Sequence, residues 1–288
     1  MKLKAAAKIN LALDITGKKK DGYHTIFSIM QSVTLFDEIE ITLRQDKKIN
    51  YSCSDRKFSK YENNIIKKAI DIFLEENKLE NPGFDIYLTK NIPSQAGLAG
   101  GSTDAAATIV ALDKLFETNL SKKSMIKIGK QVGADVPFCI YGGTALTENI
   151  GDELTKLPDL KNCYFVIVKP DISVSTKEAY KEFDRLQDSV YHLDRKKILS
   201  AYSKKDHKTA IKLIENVFEQ LIEVPNRPQI KLQMLKSGAL NACMSGSGTA
   251  IFGVFDNENL AKDSMEELKL KYKNVYLAKS CKEGVFTV

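Results

Sequence analysis

A run of glycines and small residues that feeds straight into a helix pattern constrains this chain more than any other feature. It reads Pro93-Ser-Gln-Ala-Gly97-Leu98-Ala99-Gly100-Gly101-Ser102-Thr103-Asp104-Ala-Ala-Ala. Gly97, Gly100 and Gly101 admit positive φ and remove side-chain bulk, so backbone N–H groups can come close to a ligand. Ser102, Thr103 and Asp104 are good N-cap residues. Ala105, Ala106, Ile109, Val110 and Leu112 then form a tightly packing helix face. Unpaired N–H groups and a partial positive charge at a helix start suit a phosphate. The segment is therefore expected to cradle a nucleotide phosphate; the plainer alternative is a Gly-rich turn before a well-capped helix. It is neither of the two commonest cradles. A Walker A loop needs a terminal Gly-Lys-Ser/Thr, and no lysine lies between Gly97 and Asp104. The glycine spacing also departs from the dinucleotide fingerprint.

The 288 residues suit one large domain or two of about half that size. The net charge of +6 comes mostly from scattered lysines, with only short tracts at Lys18-Lys19-Lys20 and Arg195-Lys196-Lys197. Without a basic patch interleaved with aromatics, nucleic-acid binding is not expected. The five cysteines are odd in number and contain no C-x-x-C, so neither a zinc site nor a disulfide framework is indicated and a cytoplasmic setting fits. Lys8 and Asp14 interrupt the apolar N-terminus, which reads as neither a leader nor a membrane span.

Periodicity predicts strands over 5–15, 33–43, 49–52, 84–90 and 142–148, and helices over 63–77, 102–116 and 121–132, with a break at Gly133-Ala-Asp135-Val-Pro137-Phe. Residues 152–162 are polar and turn-like, the best linker candidate. Beyond it come strands over 164–170, 250–255 and 274–278, and helices over 176–186, 194–202, 208–218, 228–237 and 257–272. The pattern is α+β.

Four further groups can carry chemistry. Lys8 and Asn10 share one face of the first strand with Ala12 and Asp14, and a lysine in an apolar strand either is paired or reaches solvent from an edge. Asp135 either caps a turn or, beside a lysine, stays ionised against a substrate hydroxyl. Asp21-Gly22-Tyr23-His24 is a hairpin turn or a platform that stacks on and hydrogen-bonds to a base. His192 and His207 read as solvated surface residues. Met244-Ser-Gly246-Ser-Gly248-Thr249 is a tight turn or a second glycine loop packed on the first.

Together these pieces resemble the GHMP kinase superfamily. Pro93 to Ala106 matches its central glycine loop, with Ala99 and Thr103 replacing the usual glycine and serine, and Met244 to Thr249 matches its C-terminal loop. Ala-Lys8-Ile-Asn10-Leu, the Asp-Gly-Tyr-His element and Gly133-Ala-Asp135-Val-Pro137-Phe are similar to one branch of that superfamily, in order and spacing. The resemblance implies a two-domain GHMP fold, with a ribosomal protein S5 domain 2-like N-terminal domain (1–158) and a ferredoxin-like C-terminal domain (159–288). It implies ATP with Mg²⁺ as co-substrate and a cytidine diphosphate-linked methylerythritol as acceptor at its 2-hydroxyl, in non-mevalonate isoprenoid biosynthesis. Alternatives are another small-alcohol kinase of the superfamily, or a nucleotide-binding member without turnover. By the same resemblance Lys8 and Asp135 flank the acceptor hydroxyl, and Asn10, His24 and Thr176 contact substrate. Tyr23 and Tyr180 sandwich the cytosine. Pro93 and the run Gly97, Leu98, Ala99, Gly100, Gly101, Ser102 and Thr103 hold the ATP phosphates, and Asn64 and Lys90 meet adenine. Metal ligands stay unassigned.

Overall fold

The computed structural model describes residues 1–58 and 60–288. In chain order the elements are β1 (Lys2–Lys18), β2 (His24–Leu43), β3 (Ile49–Cys53), α1 (Ile65–Glu76), β4 (Phe84–Thr89), α2 (Gly100–Leu115), α3 (Lys122–Val132), α4 (Val136–Tyr141), β5 (Thr144–Asn149), β6 (Glu153–Lys156) and β7 (Tyr164–Val168). They continue as α5 (Thr176–Leu186), α6 (Arg195–Ser203), α7 (His207–Lys212), β8 (Glu215–Asn216), α8 (Arg227–Lys236), β9 (Asn241–Met244), β10 (Ile251–Phe255), α9 (Glu258–Lys269), β11 (Val275–Lys279) and β12 (Val285–Thr287). No helix among the described residues is long and apolar enough to cross a membrane.

The first sheet runs β12-β1-β2-β4-β3, with β5 and β6 extending from β2 and β8 from β1. One face carries Leu3, Ile39, Ile41, Phe84 and Leu88 against Ile66, Ile70, Phe73, Ala105, Ile109 and Leu112 of α1 and α2, all buried. The second sheet is antiparallel in the order β11-β7-β10-β9. With helices inserted after β7 and β10, that is the split β-α-β topology of a ferredoxin-like unit. The sheets share a core: Ala7, Ile9 and Leu11 of β1 cluster with Phe165, Ile167 and Phe252 of the second sheet. The cleft beside this junction holds the site.

Several sequence expectations change. β2 begins at His24 rather than Val33, because its first half is buried on both faces and shows no alternation. β1 carries a bulge between Asn10 and Ala12, which ends the shared face of Lys8 and Asn10 there. Asp14 is instead fully buried and hydrogen-bonded to His192 Nδ1 at 2.8 Å, so His192 is a partnered residue. The break at 133–138 is the start of α4, with Pro137 in its first turn, where a missing N–H costs nothing. Residues 153–156 of the expected linker form β6. The helix expected over 208–218 stops at Lys212, before β8. β9 and β12 were not anticipated, and β12 returns the C-terminus to β1 through Ala5↔Val285.

Candidate active site

The glycine segment does not start its helix where the hydroxyl and carboxyl residues predict. α2 begins at Gly100, and its N-cap is Ala99, held left-handed at φ 58° with no side-chain cap. Ser102, Thr103 and Asp104 are therefore inside the helix. The first N–H groups of a 16-residue helix are left without a side-chain acceptor, which is what an anion needs. Gln95 and Gly97 also have positive φ, so the loop curls its amides inward.

The second glycine loop fixes the first. A Cβ on Gly97 would lie 2.0 Å from the Ser245 carbonyl oxygen. Ala250 N–H donates to the Ala96 carbonyl at 3.0 Å, and the Ser245 hydroxyl to that of Gly97 at 2.8 Å. These contacts tie β9–β10 to the phosphate loop across the sheet junction.

Lys8 projects from β1 into the same place. Its residue is only 4% exposed, and its ammonium donates to Asn10 Oδ1 at 2.6 Å and to the Gly97 carbonyl at 3.0 Å. Asp135 Oδ2, from the start of α4, stands 3.8 Å from it. Asn10 uses both ends of its amide, since Nδ2 donates to Ser28 Oγ at 2.8 Å. Asn10 thus braces Lys8 and also lines the cavity.

These residues line one cavity of about 1020 Å³, together with Tyr23, His24, Asn64, Lys90, Pro93, Gly97 to Ser102, Thr176 and Tyr180. Thr103 is not among its walls. Thr103 is fully buried, and its hydroxyl donates to the Ala6 carbonyl at 2.8 Å. Lys90 is committed beneath the loop, its ammonium between Asp37 and Asp104 with 7% of the side chain exposed. Asp37 also accepts from the Asn91 and Ile92 amides at 2.6 and 2.8 Å. Two carboxylates thus share one ammonium, and Asp104 Oδ1 has no hydrogen-bond partner among the described residues. Burial pushes the Asp104 carboxyl well above its ordinary range, and the negative Asp37 adds to this. Lys90 is shifted up: its burial opposes this, but the two carboxylates prevail. Asn64 caps α1 through Oδ1 and donates Nδ2 to the Tyr51 hydroxyl at 2.7 Å, so its amide is occupied too.

At the other end of the cavity α5 faces the β1–β2 turn. Thr176 Oγ1 lies 3.1 Å from Ser247 Oγ, near the glycine loops. One turn on, Tyr180 stacks on His24 with centroids 4.8 Å apart, and its edge meets Phe218. Burial, with the charge of Asp135, pushes the Tyr180 phenol up. Tyr23 stays 64% exposed at the rim. A further turn on, Asp184 binds both His24 Nε2 and Lys18 Nζ at 2.7 Å. Sequence reasoning missed Asp184, Lys18, Lys177 and Lys181, all on the cavity wall, because they read as the solvated face of an amphipathic helix or a basic tract. Asp37 did leave a signal, since it shares a strand face with buried Ile39 and Ile41.

An open helix N-terminus, an interlocked second glycine loop and a buried lysine facing a half-buried aspartate define a GHMP kinase. Residues 64–143 match the GHMP kinases N terminal domain and residues 198–274 the GHMP kinases C terminal family. A homoserine kinase from Cytophaga hutchinsonii shares the fold over 100% of this chain and 97% of its own, with a TM-score of 0.77 at 21% identity.

The chain belongs to the 4-diphosphocytidyl-2-C-methyl-D-erythritol kinase family. It is 42% identical to the enzyme of that name from Clostridium tetani, over 97% of this chain and 100% of the relative. It is 43% identical to the one from Lachnoclostridium phytofermentans, over 93% and 92%. A crystal structure of a 4-(cytidine 5'-diphospho)-2C-methyl-D-erythritol kinase superposes with a TM-score of 0.74 at 26% identity, covering 96% of this chain and 98% of that one.

Proposed function

We propose that this enzyme transfers the γ-phosphoryl group of ATP to the 2-hydroxyl of 4-diphosphocytidyl-2-C-methyl-D-erythritol, a step toward isoprenoid precursors. The observation that carries this is the placement of three elements in one cavity. The Lys8–Asp135 pair lies beside the open start of α2, and the His24–Tyr180 stack forms the far wall.

The phosphates of ATP lie on the amides from Gly97 to Ser102. The acceptor hydroxyl sits between Lys8 and Asp135. Its oxygen forms a bond to the γ-phosphorus as the bond to the β-bridging oxygen breaks, and ADP leaves. Asp135 takes or orients the hydroxyl proton, and Lys8 stabilises the charge on the transferring group. The nucleobase packs by Tyr23, His24 and Tyr180. The diphosphate, which joins the cytidine ribose to the alcohol, falls between Tyr180 and Thr176, level with Lys177 and Lys181. Among the described residues, Lys181 acts on Glu178 through its charge.

Mg²⁺ fits as an ion brought by the nucleotide, and when bound it neutralises phosphate charge. The described residues contain no group of three or more carboxylate, imidazole or thiolate ligands. Asp104 and Asp184 are both engaged at 2.7 Å, so phosphates and waters would complete its shell. We assign the two domains to residues 1–158 and 159–288, with β12 returning to the first.

The test is competition. Purified enzyme, offered equimolar diphosphocytidyl alcohol, mevalonate and homoserine with MgATP, should phosphorylate the first. Preference for either of the others would favour another small-alcohol kinase. ATP binding without turnover on any of them would favour a nucleotide-binding protein.

A further inference from the structure

Asn216 sits in β8, two residues that pair in parallel with β1 through Ala12↔Glu215 and Leu13↔Asn216. It is only 4% exposed, and its carboxamide is used at both ends. Oδ1 accepts from the Phe218 N–H at 3.0 Å. Nδ2 donates to the Met244 carbonyl at 2.7 Å and to the Gly246 carbonyl at 2.8 Å. The orientation is unambiguous, since only the amide nitrogen can face two carbonyl oxygens. Those carbonyls flank Ser245, so Asn216 fixes the backbone on both sides of it. Glu219 adds a third hold. It accepts from the Met244 N–H at 2.8 Å, while Lys231 donates to its other oxygen at 2.6 Å.

Ser245 is fully buried and touches both groups that hold the Lys8 ammonium. Its hydroxyl donates to the Gly97 carbonyl at 2.8 Å and accepts from the Asn10 N–H at 3.1 Å. Lys8 in turn donates to that same Gly97 carbonyl and to Asn10 Oδ1. Every non-covalent joint between Asn216 and the lysine is thus a hydrogen bond, and linked hydrogen bonds in a protein interior reinforce one another. We propose that Asn216 is a positioning residue that acts through Ser245 to set the place of the Lys8 ammonium. This rests on Lys8 stabilising the transferring phosphoryl group. It also gives the two-residue β8 a purpose, since pairing with β1 brings Asn216 under the second glycine loop.

The test is a double-mutant comparison with Lys8 as the second site, because residues that act through one another do not add. Asn216→Asp keeps the size of the side chain and puts an oxygen where the donating nitrogen faced two carbonyls. In the otherwise native enzyme it should lower kcat about 10- to 100-fold, the cost of misplacing a reacting group by about 1 Å. The KM for ATP and for the acceptor alcohol should each stay within about threefold, since the loss falls on the transition state. In a Lys8→Ala background, followed at high enzyme concentration, the same change should alter kcat less than about twofold. A purely structural residue would lower kcat by the same factor in both backgrounds. That result would overturn the inference, as would an undiminished kcat of Asn216→Asp. Ser245→Ala deletes one hydroxyl and guards against an Asn216 variant that does not fold. It should repeat the pattern, with a loss of about tenfold or more that vanishes without Lys8. A native kcat for Ser245→Ala, or an equal loss in both backgrounds, would overturn the inference whatever Asn216→Asp does. A near-normal kcat for Lys8→Ala alone would instead show that the role given to Lys8 is wrong, and the inference would fall with it.

Discussion

The Lys8 ammonium stands 3.8 Å from Asp135 Oδ2, an ion pair too long to be a hydrogen bond. Lys8 is held at that distance by Asn10 and by the Gly97 carbonyl, which take its protons at 2.6 and 3.0 Å. A hydroxyl oxygen placed between the two groups is within hydrogen-bond reach of both. In the proposed reaction this gap receives the acceptor alcohol.

Removing the charge of Asp135 tests that receptor. Asp135→Asn should lower kcat by roughly 10²–10⁴, the range for a positioned proton acceptor, with ATP affinity changed less than about threefold. Lys8→Ala should do comparable damage. The double variant should be little worse than the poorer single, because the two act as one unit. Steady-state kinetics with a separate ATP titration decides, and losses that multiply would contradict the unit.

Gly97→Ala and Gly101→Ala separate loop architecture from composition. At Gly97 a methyl meets the Ser245 carbonyl at 2.0 Å and φ is +75°. The strained backbone alone costs on the order of 1–3 kcal/mol, and the two loops must part. At Gly101 the nearest atom is Ile65 Cγ2 at 3.6 Å, inside a helix that favours alanine by up to about 1 kcal/mol. Thermal unfolding should show a lower Tm for the first variant only.

Asp104 should leave a signature in stability against pH. Its folded pKa is raised, so the native state keeps a proton that the unfolded chain has released. Its contribution to stability is full below the ordinary carboxylate range and declines as pH rises toward the raised value, by at most about 1.4 kcal/mol per pH unit. Asp104→Asn removes that slope. Denaturant titrations at pH 5, 6, 7 and 8 should show a steeper decline with rising pH for the native chain than for the variant. Equal slopes would mean that Asp104 is ionised in the fold.

Lys177 and Lys181 should serve the acceptor and not ATP. Replacing both by Ala should raise the KM for the diphosphocytidyl alcohol about tenfold or more and flatten its salt dependence, since partly exposed charges are screened by salt. The KM for ATP should stay within about twofold. Parallel rises for both ligands would place the lysines on the nucleotide side.

Much of this site was legible in the sequence, and the rest was hidden for physical reasons. The glycine segment, Lys8 and Asp135 were visible because each breaks a local rule: glycines cluster, a lysine sits in an apolar strand, an acid precedes a proline. The start of α2 was misplaced because Ser102, Thr103 and Asp104 have capping chemistry, yet Ala99 adopts the left-handed conformation. That choice is enforced by the second glycine loop, about 150 residues away in sequence, as the Gly97–Ser245 contact shows. Asn10 was visible, but its brace on Lys8 and its bond to Ser28 were not, since both depend on how β1 pairs with β2. Asp184 was hidden because one acid on a helix such as α5, rich in Lys and Glu, looks like any other until His24 is brought beside it from 160 positions away.

The most direct test of the central claim is ³¹P NMR of the enzyme with MgATP and 4-diphosphocytidyl-2-C-methyl-D-erythritol. A new phosphomonoester resonance should grow in step with ADP, leave the diphosphate of the substrate intact, and be absent with Asp135→Asn. ADP formed without that resonance, or the resonance formed at an undiminished rate by Asp135→Asn, would contradict it.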